Sequence, residues 1–588
     1  MGVLGLIKMK EQINIQAEVD FIWNSAEIIR DTYKKHQSQD IILPFVVLRR
    51  IESVLLEKRN EITQKMKSGL SKLNDKDGKK IISAQVLSSI GFDNTSKWTF
   101  KALISEKDSA IKENFKNYIN GFTDNIKNIL DKFGIIKELN KLEHDKLLYP
   151  LIKQYSELDL SPKIVDNNKM GYIFEEIIRR FSEQTGEEAG EHFTPREIIE
   201  LMVDILIDGD KIKDGELKKV YDPACGTDGM LVIAKDYIIN HINSKANVIV
   251  FGQEKQPETW AVGASDMLLK GENPDNIKYG NTLTDDQFKD EKFDYMLSNP
   301  PFGVDWKKDK KDILDDTSGR FNKDMLPRVS DGAFLFLLHM ISKMKQPHEG
   351  GSSIAIVFNG SPLFSGDAGS GESEIRKYLL ENDLVEGIVA LPKDLFYNTN
   401  ISTYVWIVRN VKKKERKGKI QIVNAVDFFE KMRKSLGKKT KFIPDNQRKK
   451  ITEIYQSFKN SEHSKIFDIS DFGYTRISLE LTDVDETGKA KTHSVIKKIK
   501  GKEQEVTQQI KIYDEEYVPL KEDIEEYLKR EVEKPYKIKE KKIGYEINVT
   551  QYFYKYQELR KQEEVIKEFN ELEKENKDLL KELGLMTK

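Results

Sequence analysis

The stretch "VYDPACGTDGML", Val220 to Leu231, reads as a strand running into a tight turn and then a helix. A glycine-rich turn before a helix suits an anion, because its backbone N–H groups and the helix dipole point at the ligand. Here the turn carries acids at Asp222 and Asp228, so a bound phosphate is not the natural reading, and the ligand has to be sought in the rest of the chain.

Working outward, apolar β-branched runs alternate with helical segments between Gly171 and about Val411. "NVIVFGQE", "KFDYMLSNPPF", "GSSIAIVFNG", "LVEGIVALP" and "STYVWIVRN" have the composition of short buried strands. The alternation predicts an α/β sheet with helices on its faces, assigned to 165–430. Upstream, "FIWNSAEIIRDTYKKH" sets Ile22, Ala26, Ile29 and Tyr33 at near-helical spacing, and "ILPFVVLRRIESVLLEKR" repeats it. Residues 1–160 are therefore read as a helical domain, with "LDLSPKIVDNNKMG" as the boundary. A mostly helical extension is expected over 431–550. "KKKERKGK" from Lys412 is read as a solvated turn between two strands, with a phosphate contact as the alternative. Within 551–588, Val565, Phe569, Leu572, Asn576, Leu579 and Leu583 alternate four and three residues apart. That is an a/d seam in which a polar Asn can fix register; it predicts a helix that docks on a partner, the alternative being packing on its own domain.

A chain of 588 residues has room for about three to four domains. Its 96 Lys plus Arg against 98 Asp plus Glu leave a formal charge of −2, which excludes a global positive field, so any nucleic-acid surface is local or lies on another subunit. The single cysteine, Cys225, excludes an internal disulfide framework and fits a reducing cytosol. No secretory pattern opens the chain and no apolar run approaches the ~20 residues of a membrane helix, so a cytoplasmic protein without a membrane partner is expected. His192, His339 and His348 lack metal-ligand spacing, and no metal is expected.

"LSNPPFG", Leu297 to Gly303, follows the apolar "FDYML", and its two prolines stop the strand in a donor-poor loop. An exocyclic amine on an aromatic ring is a poor nucleophile because its lone pair is delocalised. Hydrogen-bond acceptors on its two protons localise electron density on nitrogen as it attacks. The side-chain oxygen of Asn299 and the carbonyl of Pro300 can be those acceptors, with Pro301 fixing the loop and Phe302 stacking on the base. A base within duplex DNA reaches such a loop only by flipping out. The plain structural alternative is a proline-rich turn closing a strand.

"NPPF" together with "DPACGTDGM" resembles the N6-adenine DNA methyltransferases. "FIWNSAEIIR", "GYIFEEIIRRF", "GEHFTPREIIELMVDIL", "YGNTL", "SDGAFLFLLHMISKM" and "KIGYEINVTQYFYKY" are similar to the modification subunits of type I restriction-modification systems. The resemblance covers most of the chain. It implies a Rossmann-like fold, S-adenosylmethionine as cofactor, and methyl transfer to adenine N6 in a DNA sequence chosen by a specificity subunit. Two copies of this chain would flank one specificity subunit. No Walker motif is found, so translocation and cleavage would belong to a restriction subunit.

A zwitterion with a sulfonium makes acids in the turn sensible. The resemblance places the cofactor on the turn containing Asp222, Gly226, Thr227, Asp228 and Gly229, with Asp222 meeting its ammonium. It gives Glu254, at the end of the second strand, to the ribose hydroxyls and Asn281, at the end of the third, to the adenine. The segment Glu191, His192, Phe193, Thr194, Pro195 and Arg196 would lie over the methionine and adenosine, Phe193 being the apolar contact; read locally, Thr194 is an N-cap and Pro195 the first helical residue. Cys225 as a covalent nucleophile is rejected, since amine-to-methyl transfer needs no covalent intermediate.

Asp228 departs from the family pattern, which has a second small residue there, most often glycine. Its carboxylate is expected to repel the cofactor's own carboxylate, an effect Asp228→Gly would relieve. Two further readings stay open: a catalytically weak scaffold of a DNA defence complex, and methylation of a protein glutamine amide, for which Phe302 stands where Tyr is favoured.

Overall fold

Each of the five apolar runs forms a strand, and together with shorter neighbours they build one mixed sheet. In this computed structural model the described residues are 15–582, without 35–36, 67–74, 106–109, 186–193, 208, 271, 398, 500–501 and 554–561. They fall into two compact units, Met1–Ile547 and Asn548–Lys588.

The strands are β1 (Leu217–Asp222), β2 (Asn247–Glu254), β3 (Ile277–Tyr279), β4 (Tyr295–Ser298), β5 (Ser353–Phe358), β6 (Val385–Ala390), β7 (Tyr404–Arg409) and β8 (Lys419–Asn424). A hairpin of β9 (Glu430–Leu436) and β10 (Lys439–Phe442) precedes β11 (Ser464–Asp468). The nine-stranded sheet runs β11-β8-β6-β7-β5-β4-β1-β2-β3. β3, β2, β1, β4 and β5 are parallel, and β7 is inserted antiparallel between β5 and β6. β5 and β6 are buried at every residue, which is why they read as continuous apolar runs rather than alternating ones. The chain grows outward from β1 through β2 to β3, then returns to β1's other side with β4. The C-terminal ends of β1 and β4 therefore flank the topological switch point, where open α/β sheets bind ligands.

The helical domain packs around Phe45, Phe100, Phe115, Tyr118 and Tyr155, with Phe45 and Phe115 stacked at 5.6 Å. Its long helix, Gln39–Lys65, and the helix Asp124–Lys132 rest on the helix Pro257–Leu269 that follows β2. Arg50, wholly buried, donates to the carbonyls of Leu160 and Val165 at 2.5 and 2.6 Å and to Asn167 Oδ1 at 2.8 Å.

The expectation of a mostly helical 431–550 is corrected. Strand predominates there: β9, β10 and β11 are followed by β12 (Gly473–Thr482), β13 (Thr492–Ile499), β14 (Lys502–Gln509), β15 (Lys511–Pro519) and β16 (Tyr536–Tyr545), with helices at Asp445–Ser457 and Ile524–Glu531. Lysine and glutamate favour helix locally, but period-two alternation of Ile477, Leu479 and Leu481 lets β12 pack with Val518 and Leu528 into a small core of its own. β11, paired antiparallel with β8, also carries the main sheet beyond residue 430. Arg376, buried on the helix Gly371–Glu381, donates to the Tyr545 carbonyl at 2.5 Å and fastens β16 to the sheet domain.

The basic run from Lys412 is a turn between β7 and β8, though not a wholly solvated one. Lys412 is buried and donates to Asp383 Oδ1 and the Val385 carbonyl, and Arg416 is buried against Tyr455 and Phe458. In the second unit the seam forms the helix Gln562–Glu582, with Val565, Phe569, Leu572 and Leu579 exposed; Leu583 lies outside the described residues.

Candidate active site at the switch point of the sheet

β1 ends at Asp222, whose carboxyl is almost completely buried. Its Oδ1 accepts from the Ala224 N–H and from Ser298 Oγ, both at 2.9 Å, leaving Oδ2 with no donor among the described residues. Burial pushes its pKa up to about 7; the two hydrogen bonds oppose that rise and the nearby Glu254 adds to it. Gly226 takes the left-handed φ of +57° that the turn requires, and its N–H donates to Glu254 Oε2 at 3.0 Å. Glu254 Oε1 accepts from the Gln256 N–H at 2.7 Å, so two backbone donors hold the acid at the end of β2 in place. The Cys225 thiol lies against β2, where a Cβ on Gly252 would come within 2.7 Å of its sulfur. Burial pushes its pKa up, the opposite of what a nucleophilic thiolate needs.

Beyond β3, Asn281 donates from Nδ2 to Asp309 Oδ2 and accepts from the Leu283 N–H, each at 3.1 Å. Thr282 Oγ1 donates to the Pro223 carbonyl at 2.5 Å, joining this loop to the acidic turn. Beneath both lies a buried polar network that sequence reading missed. Arg320 pairs with Asp316 and donates to the carbonyls of Thr282 and Leu283 at 2.9 and 3.2 Å and to His339 Nδ1 at 3.0 Å. With Nδ1 accepting, the imidazole is the neutral Nε2–H tautomer, and Nε2 donates to the Tyr221 hydroxyl at 3.0 Å. Burial lowers the pKa of His339 to about 3, which fits that assignment.

β4 ends at Ser298, and the Asn299–Phe302 loop begins there. Asn299 Nδ2 donates to Thr194 Oγ1 at 2.9 Å, while Asn299 Oδ1 is buried with no hydrogen-bond partner among the described residues. Pro300 is buried and Pro301 half-buried. The Phe302 ring meets Phe396 edge to face, centroids 6.4 Å apart at 85°. Phe396 belongs to the loop after β6, and nothing in the apolar run "LVEGIVALP" before it pointed to a site.

The segment before the first sheet helix is described from Thr194 onward, and Glu191, His192 and Phe193 lie outside the described residues. The helix Arg196–Ile207 starts one residue later than the N-cap reading requires. Thr194 is buried, and its hydroxyl serves Asn299 rather than the helix end; Pro195 contributes its carbonyl to the Ile198 N–H at 2.9 Å. Arg196 sits over the Tyr172 ring at 4.8 Å and, with Thr227 and Gly229, lines a cleft between helices.

Asp228 is not where it was expected. It caps the helix Gly229–Tyr237 in the left-handed conformation, φ +66°, and is fully buried. Its carboxyl turns inward against the helix Pro257–Leu269, so closely that a Cβ on Gly263 would come 2.4 Å from Asp228 Oδ2. Among the described residues no well-formed hydrogen bond reaches either oxygen, only the weak donor of the neighbouring Cys225 thiol; burial outweighs that contact and pushes the pKa well above the carboxylate range, which favours the neutral acid. A side chain so placed does not face a ligand above the turn, and repulsion of a cofactor carboxylate loses its basis.

The parallel half-sheet with its inserted antiparallel strand, an acidic turn after β1 and an Asn-Pro-Pro-Phe loop after β4 define a Rossmann-like fold of the S-adenosylmethionine-dependent methyltransferase class. Residues 165–493 match the family model for N-6 DNA Methylase, and residues 19–154 that for the HsdM N-terminal domain. The chain belongs to the N-6 DNA methylase family and is an adenine-specific DNA methyltransferase of the type I modification-subunit kind. It is 26% identical over 477 residues to the type I restriction enzyme MjaIX methylase subunit of Methanocaldococcus jannaschii, covering 78% of this chain and 80% of that one. It is 32% identical over 258 residues to the HindI methylase subunit of Haemophilus influenzae, 44% of this chain and 54% of that one. In fold it is similar to the type I methyltransferase subunit from Streptococcus thermophilus, with TM-score 0.63 at 22% identity over 78% of this chain and 96% of that one.

Proposed function

We propose that the chain transfers a methyl group from S-adenosylmethionine to adenine N6 in DNA, within a cytoplasmic complex whose specificity subunit selects the sequence. Two copies of the chain per specificity subunit, and a separate restriction subunit for cleavage, complete the reading. The observation that carries it is the orphaned Asn299 Oδ1, a buried acceptor oriented from behind by Thr194. Such an acceptor costs free energy unless something donates to it, and an adenine amino group is a donor of the right kind.

The residues at the turn fit the cofactor. Val220 to Leu231 contains no lysine or arginine, and two buried carboxyls stand at neighbouring strand ends, one with a free oxygen. That donor set suits an ammonium and a pair of vicinal hydroxyls rather than a polyphosphate. Asp222 would hold the ammonium, Glu254 the ribose, and the loop at Asn281 the adenine. The cofactor supplies an electrophilic methyl on a sulfonium.

The chain's own residues do the rest. Asn299 Oδ1 and the Pro300 carbonyl accept hydrogen bonds from the two amine N–H groups and raise the electron density on N6, which sheds one of its protons to solvent as it takes up the methyl group, and Pro301 keeps the loop from relaxing. Phe302 and Phe396 offer aromatic surface to a base that has left its stack. The Ser298 bond to Asp222 holds nucleophile and donor sites in register, so that proximity carries much of the rate. The scaffold alternative was motivated by Asp228, whose inward side chain removes that motive.

Calorimetric titration of S-adenosylmethionine into the purified chain, then methyl transfer with and without the specificity subunit encoded beside it, tests the reading. Binding, with transfer that Asn299→Ala abolishes, is expected. Binding without transfer to adenine in any assembly would sink it.

A further inference from the structure

The β9–β10 hairpin stands beside the Asn299–Phe302 loop and is strongly basic in a chain of net charge −2: residues 430–441 hold six Lys or Arg against one Glu. Its attachment is specific. The Lys438 N–H donates to the Tyr397 carbonyl at 2.9 Å, and the Thr440 and Lys441 N–H groups donate to the Asp394 carbonyl at 3.0 and 3.2 Å. Gly437, at φ +59°, lets the turn press on that loop; a Cβ there would come 2.6 Å from the Tyr397 carbonyl oxygen. Lys439, buried, donates to the Leu395 carbonyl at 3.0 Å and pairs with Glu197. The hairpin is thereby tied to the loop that carries Phe396 and to the helix that begins just after Thr194.

Two of the cations are spent on this anchoring, Lys439 and, through Asp394 at 3.6 Å, Lys441. Lys431, Arg433 and Lys438 are exposed and make no ion pair among the described residues. Lys431 stands directly across the ladder from Lys441, a like-charge pairing that works against the hairpin. Among the described residues the hairpin has only its two strands and joins no larger sheet, and such a ribbon is marginal in water by itself. An unneutralised basic ribbon beside the Asn299–Phe302 loop calls for an anionic partner that runs past that loop.

We propose that the β9–β10 hairpin binds the phosphodiester backbone of DNA beside the target base, with Lys431, Arg433 and Lys438 as the phosphate contacts. The proposal rests on DNA being the substrate. Such contacts fix register and carry no sequence information, which suits a subunit that leaves base readout to another chain.

The test is binding of a short duplex, followed by fluorescence anisotropy across a KCl series, to the chain assembled with its specificity subunit. The triple variant Lys431→Gln, Arg433→Gln, Lys438→Gln is compared with a control of equal charge change on the helical domain, Lys79→Gln, Lys80→Gln, Lys137→Gln. Each lost phosphate contact lowers the slope of log affinity against log salt by about 0.9, so the hairpin variant is expected to lose roughly 2 to 3 from it. The control should keep the full slope, and calorimetry should give all three proteins one cofactor affinity and melting curves one Tm. An unchanged slope in the hairpin variant, or an equal loss in the control, overturns the proposal and leaves the methyl-transfer reading standing. Failure of the hairpin variant to assemble with the specificity subunit makes the surface a protein contact and overturns it too. A wild-type assembly that binds the cofactor but no duplex would take the functional reading down with it.

Discussion

Ser298 Oγ donates to Asp222 Oδ1 at 2.9 Å, so the residue before Asn299 is bonded to the acid that ends β1. Neighbouring parallel strands bring the two ends together, Tyr221 standing opposite Met296. The bond joins the half of the site that would hold the methyl donor to the half that would hold its acceptor. Ser298→Ala should leave Asp222 with one donor fewer and slow methyl transfer about tenfold, with a smaller change in cofactor affinity; single-turnover rates beside calorimetry separate the two.

Asp222 makes stability and binding depend on pH. Its folded pKa of about 7 lies above the ordinary 3.8 because burial disfavours the charged form. The folded state therefore holds a proton that the unfolded state has lost across that window. Stability is full below the lower value and falls as pH rises through the upper one, by up to on the order of 4 kcal/mol. Melting curves should show Tm dropping from acid to neutral pH, less so in Asp222→Asn. A cationic ligand favours the ionised carboxyl, so cofactor affinity should rise over the same range; a flat profile in the wild type would contradict both expectations.

Asn299→Ala should reduce methyl transfer at least a hundredfold, the usual scale for losing one acceptor or donor aimed at developing charge, with cofactor affinity within a few-fold of wild type. Thr194→Val, which removes the partner of Asn299 Nδ2 and keeps the shape, should show a milder loss confined to the rate. Equal activity in the valine variant would mean that Thr194 does not orient the amide.

Asp228→Gly should stabilise the protein. It removes a buried carboxyl whose one neighbouring donor among the described residues is the weak Cys225 thiol, a cost of roughly 1–3 kcal/mol, and gives a left-handed position the residue that adopts it freely. The small cavity left against Gly263 offsets part of the gain. Because the acid's folded pKa is raised, the gain should grow as pH rises above the ordinary carboxylate range. Cofactor affinity should change less than twofold, and a large improvement would reinstate a direct contact.

Phe569→Glu with Leu572→Glu, on the exposed seam of the helix Gln562–Glu582, should abolish assembly with the specificity subunit while S-adenosylmethionine still binds. Size-exclusion chromatography of the mixed subunits reads the first effect and calorimetry the second; intact assembly would free the seam of that role.

The sheet was legible in the sequence because its strands are buried on both faces, and β5 and β6 read as unbroken apolar runs. The turn at Gly226 and the Asn299 loop were legible because glycine and proline act through local backbone geometry. What lay hidden depends on residues far apart in the chain. The Arg320–His339–Tyr221 network spans more than a hundred residues between its ends, and an isolated histidine gives no sign of such a partner. Asp228 was misjudged because the turn's sequence says nothing of Gly263, against which the side chain packs. In 431–550, abundant lysine and glutamate masked the alternation that makes β12 a strand.

Arg50 turns the stretch that reads as a linker into a fixed joint. Three of its hydrogen bonds reach Leu160, Val165 and Asn167 from the middle of the helix Gln39–Lys65. Limited proteolysis should accordingly spare 158–167 as it spares that helix. Whatever moves the helical domain of this chain therefore moves its sheet with it, like the two ends of one lever.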